Sequence, residues 1–173
     1  MSTLVTGLNG FVGSYCKDQA PAVGLEDHNG WVDLRDASRV RDAIRKIRPQ
    51  KVLHLAAQSS VPASIAAPRE TYESNFFGTL NLLQALEDAS FQGKMLYIGS
   101  ADVYGAVPES NLPVTEQNPS RPLNPYSVSK VAAEAMCYQW SQNADFEIVI
   151  ARPFNHIGPR QSPLFAVSDF ARQ

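Results

Sequence analysis

Tyr126 and Lys130 have the residue types and the spacing of an acid–base pair. The segment from residue 125 to 142 is predicted to be helical, and four residues turn a helix by about 400°, so both side chains lie on one face. A phenol has an ordinary pKa of about 10, which makes it a poor acid–base catalyst at neutral pH. An adjacent ammonium lowers that pKa, and a cationic cofactor ring lowers it further. The pair therefore predicts a tyrosine catalyst, with a plain helix-surface pair as the alternative.

Ser100 is the candidate partner of this pair. It follows a predicted strand, Lys94 to Ile98, and so lies at the carboxyl edge of the sheet. Open α/β sheets bind their ligands at this edge. Ser100 is therefore predicted to orient a substrate oxygen.

Three glycines, Gly7, Gly10 and Gly13, follow the first apolar run of the chain, Thr3 to Thr6. Glycines permit a tight turn, a close approach of backbone amides to a pyrophosphate, and close packing of a helix on a strand. The position between a strand and a helix is the one that a dinucleotide-binding fold requires. The turn therefore predicts a dinucleotide site, although a glycine turn of purely structural purpose is the alternative.

Several residues are candidates for contacting the adenosine half of that dinucleotide. Glu26 lies 19 residues after Gly7, about where an acidic residue would bind the ribose, and Asp27 is equally well placed. Asp33 is a further carboxylate, which either meets the adenine or belongs to the turn that enters a helix capped by Asp36. Arg35 would instead reach a 2′-phosphate, so both NADH and NADPH stay open.

Short apolar runs alternate with longer amphipathic segments along the whole chain, which indicates parallel strands joined by helical crossovers. The predicted fold is α/β, a doubly wound and mostly parallel Rossmann-type sheet of about six strands with helices on both faces. Residues 106–123 carry four prolines and no apolar periodicity, so we expect a surface loop there. The predicted strands lie at 3–6, 22–25, 51–57, 94–98 and 147–151, and the predicted helices at 14–19, 36–49, 70–89 and 125–142.

The composition narrows the classes of partner. The 173 residues carry a formal charge of −2, so there is no basic field to attract nucleic acid or anionic lipid. No apolar run approaches the ~20 residues of a membrane span. Two distant cysteines without metal-ligand spacing are typical of a reduced cytoplasmic protein, and no metal site is expected. His54, inside an apolar strand, is interpreted as a locally bonded core histidine. Small molecules are the expected ligands.

Together the motifs resemble the extended short-chain dehydrogenase/reductases that modify nucleotide sugars. The motifs that carry this resemblance are the turn of Gly7, Gly10 and Gly13; His54 to Ala57; Asn75 with Gly78 and Thr79; Ser100 to Gly105; Tyr126 with Lys130; and Arg152 to Asn155.

The resemblance implies an NAD(P)H-dependent oxidoreductase in which Ser100, Tyr126 and Lys130 are catalytic. It implies a cofactor site of Gly7, Asn9, Gly10, Phe11, Val12, Asp33, Leu34, Leu55, Ala56, Ala57, Asn75, Tyr126, Lys130 and Pro153. It implies a substrate site of Gln58, Ser100, Asp102, Tyr126 and Asn155, in which Asn155 contacts the substrate diphosphate.

The segments 57–61, 81–85 and 152–159 resemble more narrowly the subfamily that reduces GDP-4-keto-6-deoxy-D-mannose to GDP-6-deoxy-D-mannose, also called GDP-D-rhamnose. Related 4,6-dehydratases carry a glutamate two residues after the catalytic hydroxyl, often preceded by an aspartate. Ala101 and Asp102 stand at those places, which favours reduction of a preformed ketone. Asp102 is either a hydrogen-bond acceptor behind the site or a turn residue. A nucleotide-sugar 4-epimerase, a 4,6-dehydratase and an inactive nucleotide-binding module are the alternatives.

Family members continue into a smaller domain that closes over the sugar nucleotide. The resemblance therefore implies a cofactor-binding domain at 1–151, the start of a truncated substrate-binding domain at 152–173, and an N-terminal fragment that is inactive by itself. It also implies a homodimer formed through the helices around 70–89 and 125–142.

Overall fold

A five-stranded parallel sheet forms the centre of the computed structural model, which describes residues 2–17, 21–163 and 165–172. In chain order its strands are β1 Thr3–Thr6, β2 Ala22–Gly24, β5 Lys51–His54, β6 Lys94–Ile98 and β7 Glu147–Ala151, while β3 Glu26–Asp27 and β4 Gly30–Trp31 lie outside it. Their spatial order in the sheet is β2-β1-β5-β6-β7. Their short, β-branched and apolar sequences suit strands that are covered on both faces.

The register aligns the ends of these strands. Lys51 pairs with Thr3 of β1 and with Lys94 of β6, and Lys94 pairs with Glu147 of β7. Because all four neighbouring pairs are parallel, their carboxyl ends lie at one edge of the sheet. The segments that follow β1, β5, β6 and β7 therefore meet there.

Helices cover both faces of this sheet, which confirms the predicted doubly wound α/β fold. Asp36 caps α2 by accepting a hydrogen bond from the Arg39 amide, as expected of an aspartate at that position. Pro125 occupies the first turn of α6, where its missing N–H costs no hydrogen bond. The bounds are α1 Phe11–Cys16, α2 Ala37–Ile47, α3 Val61–Ala66, α4 Pro68–Tyr72, α5 Gly78–Asp88, α6 Pro125–Ser141 and α7 Ala166–Phe170, with 3₁₀ turns at Ala101–Tyr104 and Glu109–Asn111.

The apolar core lies between the sheet and these helices. Helix α2 contributes Val40 and Ile44, which its sequence places on one stripe, and α5 contributes Leu82, Leu83 and Leu86, all almost fully buried. These side chains form one cluster with Leu4, Val52 and Met95 of the strands and with Ala133 and Cys137 of α6. Burying a leucine or isoleucine contributes roughly 1.5–3 kcal/mol, so this cluster supplies much of the stability of the sheet and its helices.

Three local predictions differ from the structure. The sheet has five strands instead of about six, since Glu26–Asp27 (β3) and Gly30–Trp31 (β4) form a separate antiparallel hairpin. Strand β5 ends at His54, level with the end of β1 at Thr6. Helix α1 begins at Phe11 rather than Ser14 because extended Gly10 is its N-cap, and the predicted end at Gln19 lies outside the described residues.

The long helix predicted at 70–89 is three consecutive helical segments. Between α4 and α5 the residues Glu73–Phe77 form a π turn, in which the Gly78 amide bonds the Glu73 carbonyl five residues back. Such turns insert one extra residue into a helix. Among the described helices, none combines the length and the apolar character that crossing a membrane requires.

Candidate active site

The three glycines of the turn after β1 have different surroundings. The backbone leaves no room for a side chain at Gly7 and Gly13, whereas Gly10 faces open space. Gly7 has a positive φ of 74°, and a Cβ there would lie 2.9 Å from the Ala56 amide nitrogen. A Cβ on Gly13 would lie 2.2 Å from the Gly7 carbonyl oxygen. A Cβ on Gly10 would meet only that same oxygen, at 3.1 Å. The turn therefore provides an open, glycine-lined cradle beside the first turn of α1.

This cradle fits the pyrophosphate of a dinucleotide, because the exposed surface of Gly10 lets a ligand approach the backbone closely. Asn9 is also exposed, Phe11 contacts Tyr15 edge to face with ring centroids 5.7 Å apart, and Val12 is partly exposed. These three residues flank Gly10 in the turn and in the first turn of α1, which is compatible with their predicted contact with a cofactor. That they contact a cofactor stays a prediction.

Two of the three acidic residues proposed for the adenosine half are paired with arginines of the chain. Asp27 accepts two hydrogen bonds from the Arg39 guanidinium, at 2.8 and 2.9 Å, which lowers the pKa of its carboxyl to about 2. Asp33 is paired with Arg35, with nitrogen and oxygen 2.5 Å apart, and this pairing likewise lowers its pKa. Asp27 therefore ties the β3–β4 hairpin to α2. Glu26 is exposed.

Leu34 and the residues after β5 lie at the same edge. Leu34 is buried, and its carbonyl accepts a hydrogen bond of 2.7 Å from the Asn81 side chain. Leu55, Ala56 and Ala57 are half-buried where the chain leaves the sheet. The backbone of Leu55 and Ala56 lies directly against Gly7 of the glycine turn.

A buried hydrogen-bond chain passes through His54 and joins these segments. The Thr79 hydroxyl donates to the Asn75 carbonyl at 2.7 Å, so its oxygen accepts the Nε2 proton of His54 at 2.9 Å. Burial lowers the pKa of His54 to about 3, so the ring is neutral and its Nδ1 accepts from the Thr6 hydroxyl at 2.6 Å. The Ala56 amide donates to the Thr6 oxygen in turn. His54 is thus the locally bonded core histidine that the sequence predicted.

Asn75 and Gln58 belong to the same framework. Asn75 is buried, and its amide group donates to the Gln58 carbonyl and the Ser129 hydroxyl and accepts from the Gln58 amide, all between 2.8 and 2.9 Å. The Gln58 side chain bonds Thr71 and Ser60. Both residues therefore bond neighbouring segments of the chain. That Asn75 also contacts the cofactor and Gln58 the substrate stays a prediction.

Ser100, Tyr126 and Lys130 are brought together, as the sequence predicted. Ser100 caps the 3₁₀ turn that follows β6, and its hydroxyl accepts from the Asp102 amide at 3.2 Å. Tyr126 and Lys130 share a face of α6, with the Lys130 Nζ 5.9 Å from the centroid of the phenol ring. The Lys130 ammonium donates to the Ile98 carbonyl at 2.8 Å, which fixes it against the carboxyl end of β6.

The electrostatics of this pair differ from the prediction in one respect. In the protein alone, burial raises the pKa of the Tyr126 phenol, and the Ser100 hydroxyl opposes this only in part. The sequence predicts that Lys130 lowers the phenol pKa, but the net shift of that pKa is upward. Burial of the Lys130 ammonium lowers its own pKa to about 8. The phenol is therefore a proton donor, and the neighbouring lysine titrates closer to neutrality than an exposed lysine does.

Asp102 supports the start of α6, the helix that carries Tyr126 and Lys130. Its Oδ2 accepts a hydrogen bond of 2.8 Å from the Asn124 side chain, whose own oxygen caps α6 at the Ser127 amide. Two roles were predicted for Asp102, a hydrogen-bond acceptor behind the site or a turn residue. The structure shows it as an acceptor. The sequence analysis missed Asn124, although an asparagine before Pro125 and three residues before a serine is a capping signature.

The segment after β7 closes the edge. The Pro153 carbonyl accepts from the Ala101 amide at 2.9 Å, which ties this segment to the Ser100 turn, and Asn155 is exposed. Sequence reasoning also missed the ion pair between Arg152 and Glu134, which no local pattern could reveal because the partners are 18 residues apart. Within the described ranges, no three His, Cys, Asp or Glu side chains are grouped as a metal site requires.

Comparisons with known proteins agree with this geometry. The chain is 43% identical to GDP-6-deoxy-D-mannose reductase of Pseudomonas aeruginosa over 98% of its own length and 57% of the relative's. It superposes on the structure of RMD from Pseudomonas aeruginosa complexed with NADPH with a TM-score of 0.90 and 42% identity, covering 99% of this chain and 59% of that one. A UDP-glucose 4-epimerase of Thermus thermophilus in complex with NAD gives 0.84 and 34%, covering 94% of this chain and 58% of that one.

The chain thus spans just under three fifths of the length of these relatives. A family model described as GDP-mannose 4,6 dehydratase matches residues 28–173, which is most of the chain. The match includes Ser100, Tyr126 and Lys130, the residues that the fold brings together. The protein belongs to this family of extended short-chain dehydrogenase/reductases that act on nucleotide sugars.

Proposed function

We propose that this protein contributes the catalytic half of an NAD(P)H-dependent reductase that converts the C4 ketone of a nucleotide-linked 4-keto-6-deoxy sugar to an alcohol. The observation that carries the proposal is the placement of Ser100, Tyr126 and Lys130 at the sheet edge that also holds the glycine turn. The 43% identity to GDP-6-deoxy-D-mannose reductase favours GDP-4-keto-6-deoxy-D-mannose as substrate and GDP-6-deoxy-D-mannose as product.

In this reaction the protein's own side chains donate the proton and orient the substrate. The Tyr126 hydroxyl, protonated because burial raises its pKa, gives its proton to the alkoxide that develops at C4. The Ser100 hydroxyl binds the same sugar oxygen and stabilises its growing charge. The Lys130 ammonium adds positive potential beside the phenol and lies within reach of a cofactor ribose. A nicotinamide cofactor supplies the hydride when it is bound.

The cofactor-binding residues would be those of the cradle and the edge. Gly10 and its neighbours would receive the pyrophosphate, while Asp33 and Arg35, which follow the β3–β4 hairpin, would lie on the adenosine side. The pair offers a carboxylate to a ribose hydroxyl and a guanidinium to a 2′-phosphate, so both NADH and NADPH are to be assayed.

Of the alternatives in the same family, the dehydratase is distinguished from the reductase by the residues that follow Ser100. A dehydratase needs an acid or base after the catalytic hydroxyl, whereas Ala101 has no ionisable group and the Asp102 carboxylate is bound to Asn124. This supports reduction over dehydration. A 4-epimerase uses the same side chains without net consumption of cofactor, and an inactive nucleotide-binding module would bind the cofactor without turnover.

The remaining proposals concern the rest of the pocket. We place the cofactor-binding unit at 1–151 and the first part of a substrate-binding unit at 152–173, in which Asn155 contacts the diphosphate. Residues 1–173 by themselves should turn over negligibly, because poor placement of the ketone by ~1 Å can cost ~10²-fold in rate. A homodimer through the helices around 70–89 and 125–142 is supported by exposed Phe77 and Tyr138, at 51% and 64% exposure.

The test is a spectrophotometric assay of NADH and NADPH oxidation with GDP-4-keto-6-deoxy-D-mannose, using this chain and any longer protein that contains it, with NMR of the sugar product. Stoichiometric cofactor oxidation that yields a C4 alcohol supports the proposal, with Tyr126→Phe as the inactive control. Conversion of a nucleotide sugar without net cofactor oxidation indicates an epimerase. Cofactor binding without turnover in every form indicates the binding module.

A further inference from the structure

Glu134 is a buried charged residue close to Lys130, and it has no part in the proposed reaction. Glu134 lies one helical turn after Lys130 on α6, and the two residues are only 6% and 5% exposed. Its Oε2 accepts from both the Nε and the Nη2 of Arg152, at 2.8 and 2.7 Å. Its Oε1 is buried and has no hydrogen-bond partner among the described residues. A buried carboxylate with one free oxygen is costly to maintain, which points to a use for its charge.

The position of this carboxylate is fixed from three sides. A Cβ built on Gly99 would lie 2.2 Å from Glu134 Oε1, so the glycine before Ser100 leaves room for the carboxylate. Arg152 also donates to the Tyr104 hydroxyl at 3.1 Å and stacks over the Tyr104 ring at 5.1 Å. Tyr104 closes the 3₁₀ turn that begins at Ser100. Glu134 therefore connects α6, the end of β7 and the Ser100 turn.

The charged and titratable groups around Lys130 come from three elements. Tyr126, Glu134 and Cys137 lie on α6 itself, Tyr97 of β6 lies under the ammonium at 5.2 Å from its ring centroid, and His54 of β5 is neutral. Burial favours the uncharged lysine, and Glu134 is the carboxylate that opposes this effect.

We propose that Glu134 is a positioning residue for Lys130: its buried carboxylate keeps the ammonium of Lys130 charged and aligned on the Ile98 carbonyl. Arg152 holds this carboxylate in place from the other side. The consequence for turnover rests on the proposed function, whereas the effect on the charge of Lys130 does not.

The test is an NMR titration of the chain labelled with ¹³C at the lysine Cε, which gives five resonances, for Lys17, Lys46, Lys51, Lys94 and Lys130. A Lys130→Met variant identifies the Lys130 signal. We expect Glu134→Gln to lower the titration midpoint of Lys130 by about one pH unit or more, because the opposite charge has been removed. Glu147→Gln is the matched control: it removes the carboxylate of the exposed Lys94–Glu147 ion pair and should leave the Lys130 midpoint unchanged.

Glu134→Gln leaves the Arg152 guanidinium without its partner, so the double variant Glu134→Gln/Arg152→Met provides a second route. It removes both charges of the pair, which buried ion pairs often tolerate, and should still lower the Lys130 midpoint. An unchanged midpoint in a folded form of either variant overturns the proposal.

Turnover separates this inference from the proposed function. In a form that reduces the sugar, Glu134→Gln should move the alkaline limb of the pH–kcat profile to lower pH, whereas loss of packing alone would reduce kcat equally at every pH. A shifted Lys130 midpoint in a protein that does not reduce the sugar supports the role of Glu134 and contradicts the reductase assignment. Reduction of the sugar together with an unchanged Lys130 midpoint in the Glu134→Gln variant supports the reductase assignment and contradicts the role of Glu134.

Discussion

Replacing Gly10 and Gly13 separately by alanine should give two different defects, although both glycines belong to one turn. Gly10 is the extended N-cap of α1, with φ −78°, and an added methyl there meets a single atom at 3.1 Å. Gly13 lies inside α1, and an added methyl there meets the Gly7 oxygen at 2.2 Å and the Leu8 Cα at 2.7 Å. Gly10→Ala should therefore impair cofactor binding, and Gly13→Ala should impair folding.

The magnitudes follow from which atoms have to move. The neighbours of Gly13 are backbone atoms of the turn, so relief requires separating α1 from β1, and overpacking of this kind costs ~1–3 kcal/mol or more. That is a large part of a typical stability of ~5–15 kcal/mol. At Gly10 one close contact is offset by the ~0.4–1 kcal/mol that alanine contributes by restricting the unfolded chain. Its methyl projects into the cradle, where we expect at least a tenfold loss of cofactor affinity, or ~1.4 kcal/mol.

Urea unfolding and titration calorimetry with NADH and NADPH measure the two effects independently. Gly10→Ala should keep the wild-type unfolding midpoint and lose affinity, while Gly13→Ala should show a lower midpoint. If Gly10→Ala bound both cofactors as tightly as the wild type does, the pyrophosphate would have to lie elsewhere. A Gly13→Ala protein of wild-type stability would show that α1 is not packed on the turn as described.

Three further changes test other parts of the site. Tyr126→Phe should reduce turnover by ~10² to 10⁴ in a form that reduces the sugar, with cofactor affinity nearly unchanged in calorimetry, because the acid is removed and the binding surface is not. The folded-state pKa of His54, about 3, lies below the ordinary value of 6.5, so its contribution to stability is complete above pH 6.5 and is lost as the pH falls towards 3. Urea unfolding should therefore show about 2 kcal/mol less stability from this residue at pH 5 than at pH 7, and His54→Gln should remove that difference. Thr79→Val leaves the Nε2 proton of His54 without an acceptor and should cost ~1–3 kcal/mol of stability in the same assay, whereas Thr79→Ser should restore most of it.

The sequence predicted the parts of the site that depend on local spacing. Gly7 and Gly13 lie between a short β-branched run and a helix, and Tyr126 and Lys130 lie one turn apart on a helix. Both arrangements can be recognised from neighbours in the sequence. Parallel pairing then brings them to one edge, since strands joined by helical crossovers have the same direction.

Interactions between distant segments could not be predicted in this way. The distance from Gly7 makes Asp27 a candidate ribose ligand, but it does not reveal that Arg39 on α2 binds the same carboxylate. The pKa of Tyr126 depends on how deeply α6 is buried, which the four-residue spacing to Lys130 does not specify. Residue types and local sequence periodicity specify neither the Asp27–Arg39 ion pair nor the pKa of Tyr126.

The π turn at Glu73–Phe77 determines where this long helical segment can lose a residue. Because the turn holds one residue more than an α-helical turn, a deletion within it would return the segment to ordinary helix and leave α5 in its orientation relative to α4. Each residue of an α-helix corresponds to about 100° of rotation, so a deletion in α5 before Leu82 would rotate the rest of that helix and turn Leu82 and Leu86 out of the core. In a library of single-residue deletions, the fold should therefore survive the loss of exposed Phe77 better than the loss of Leu80.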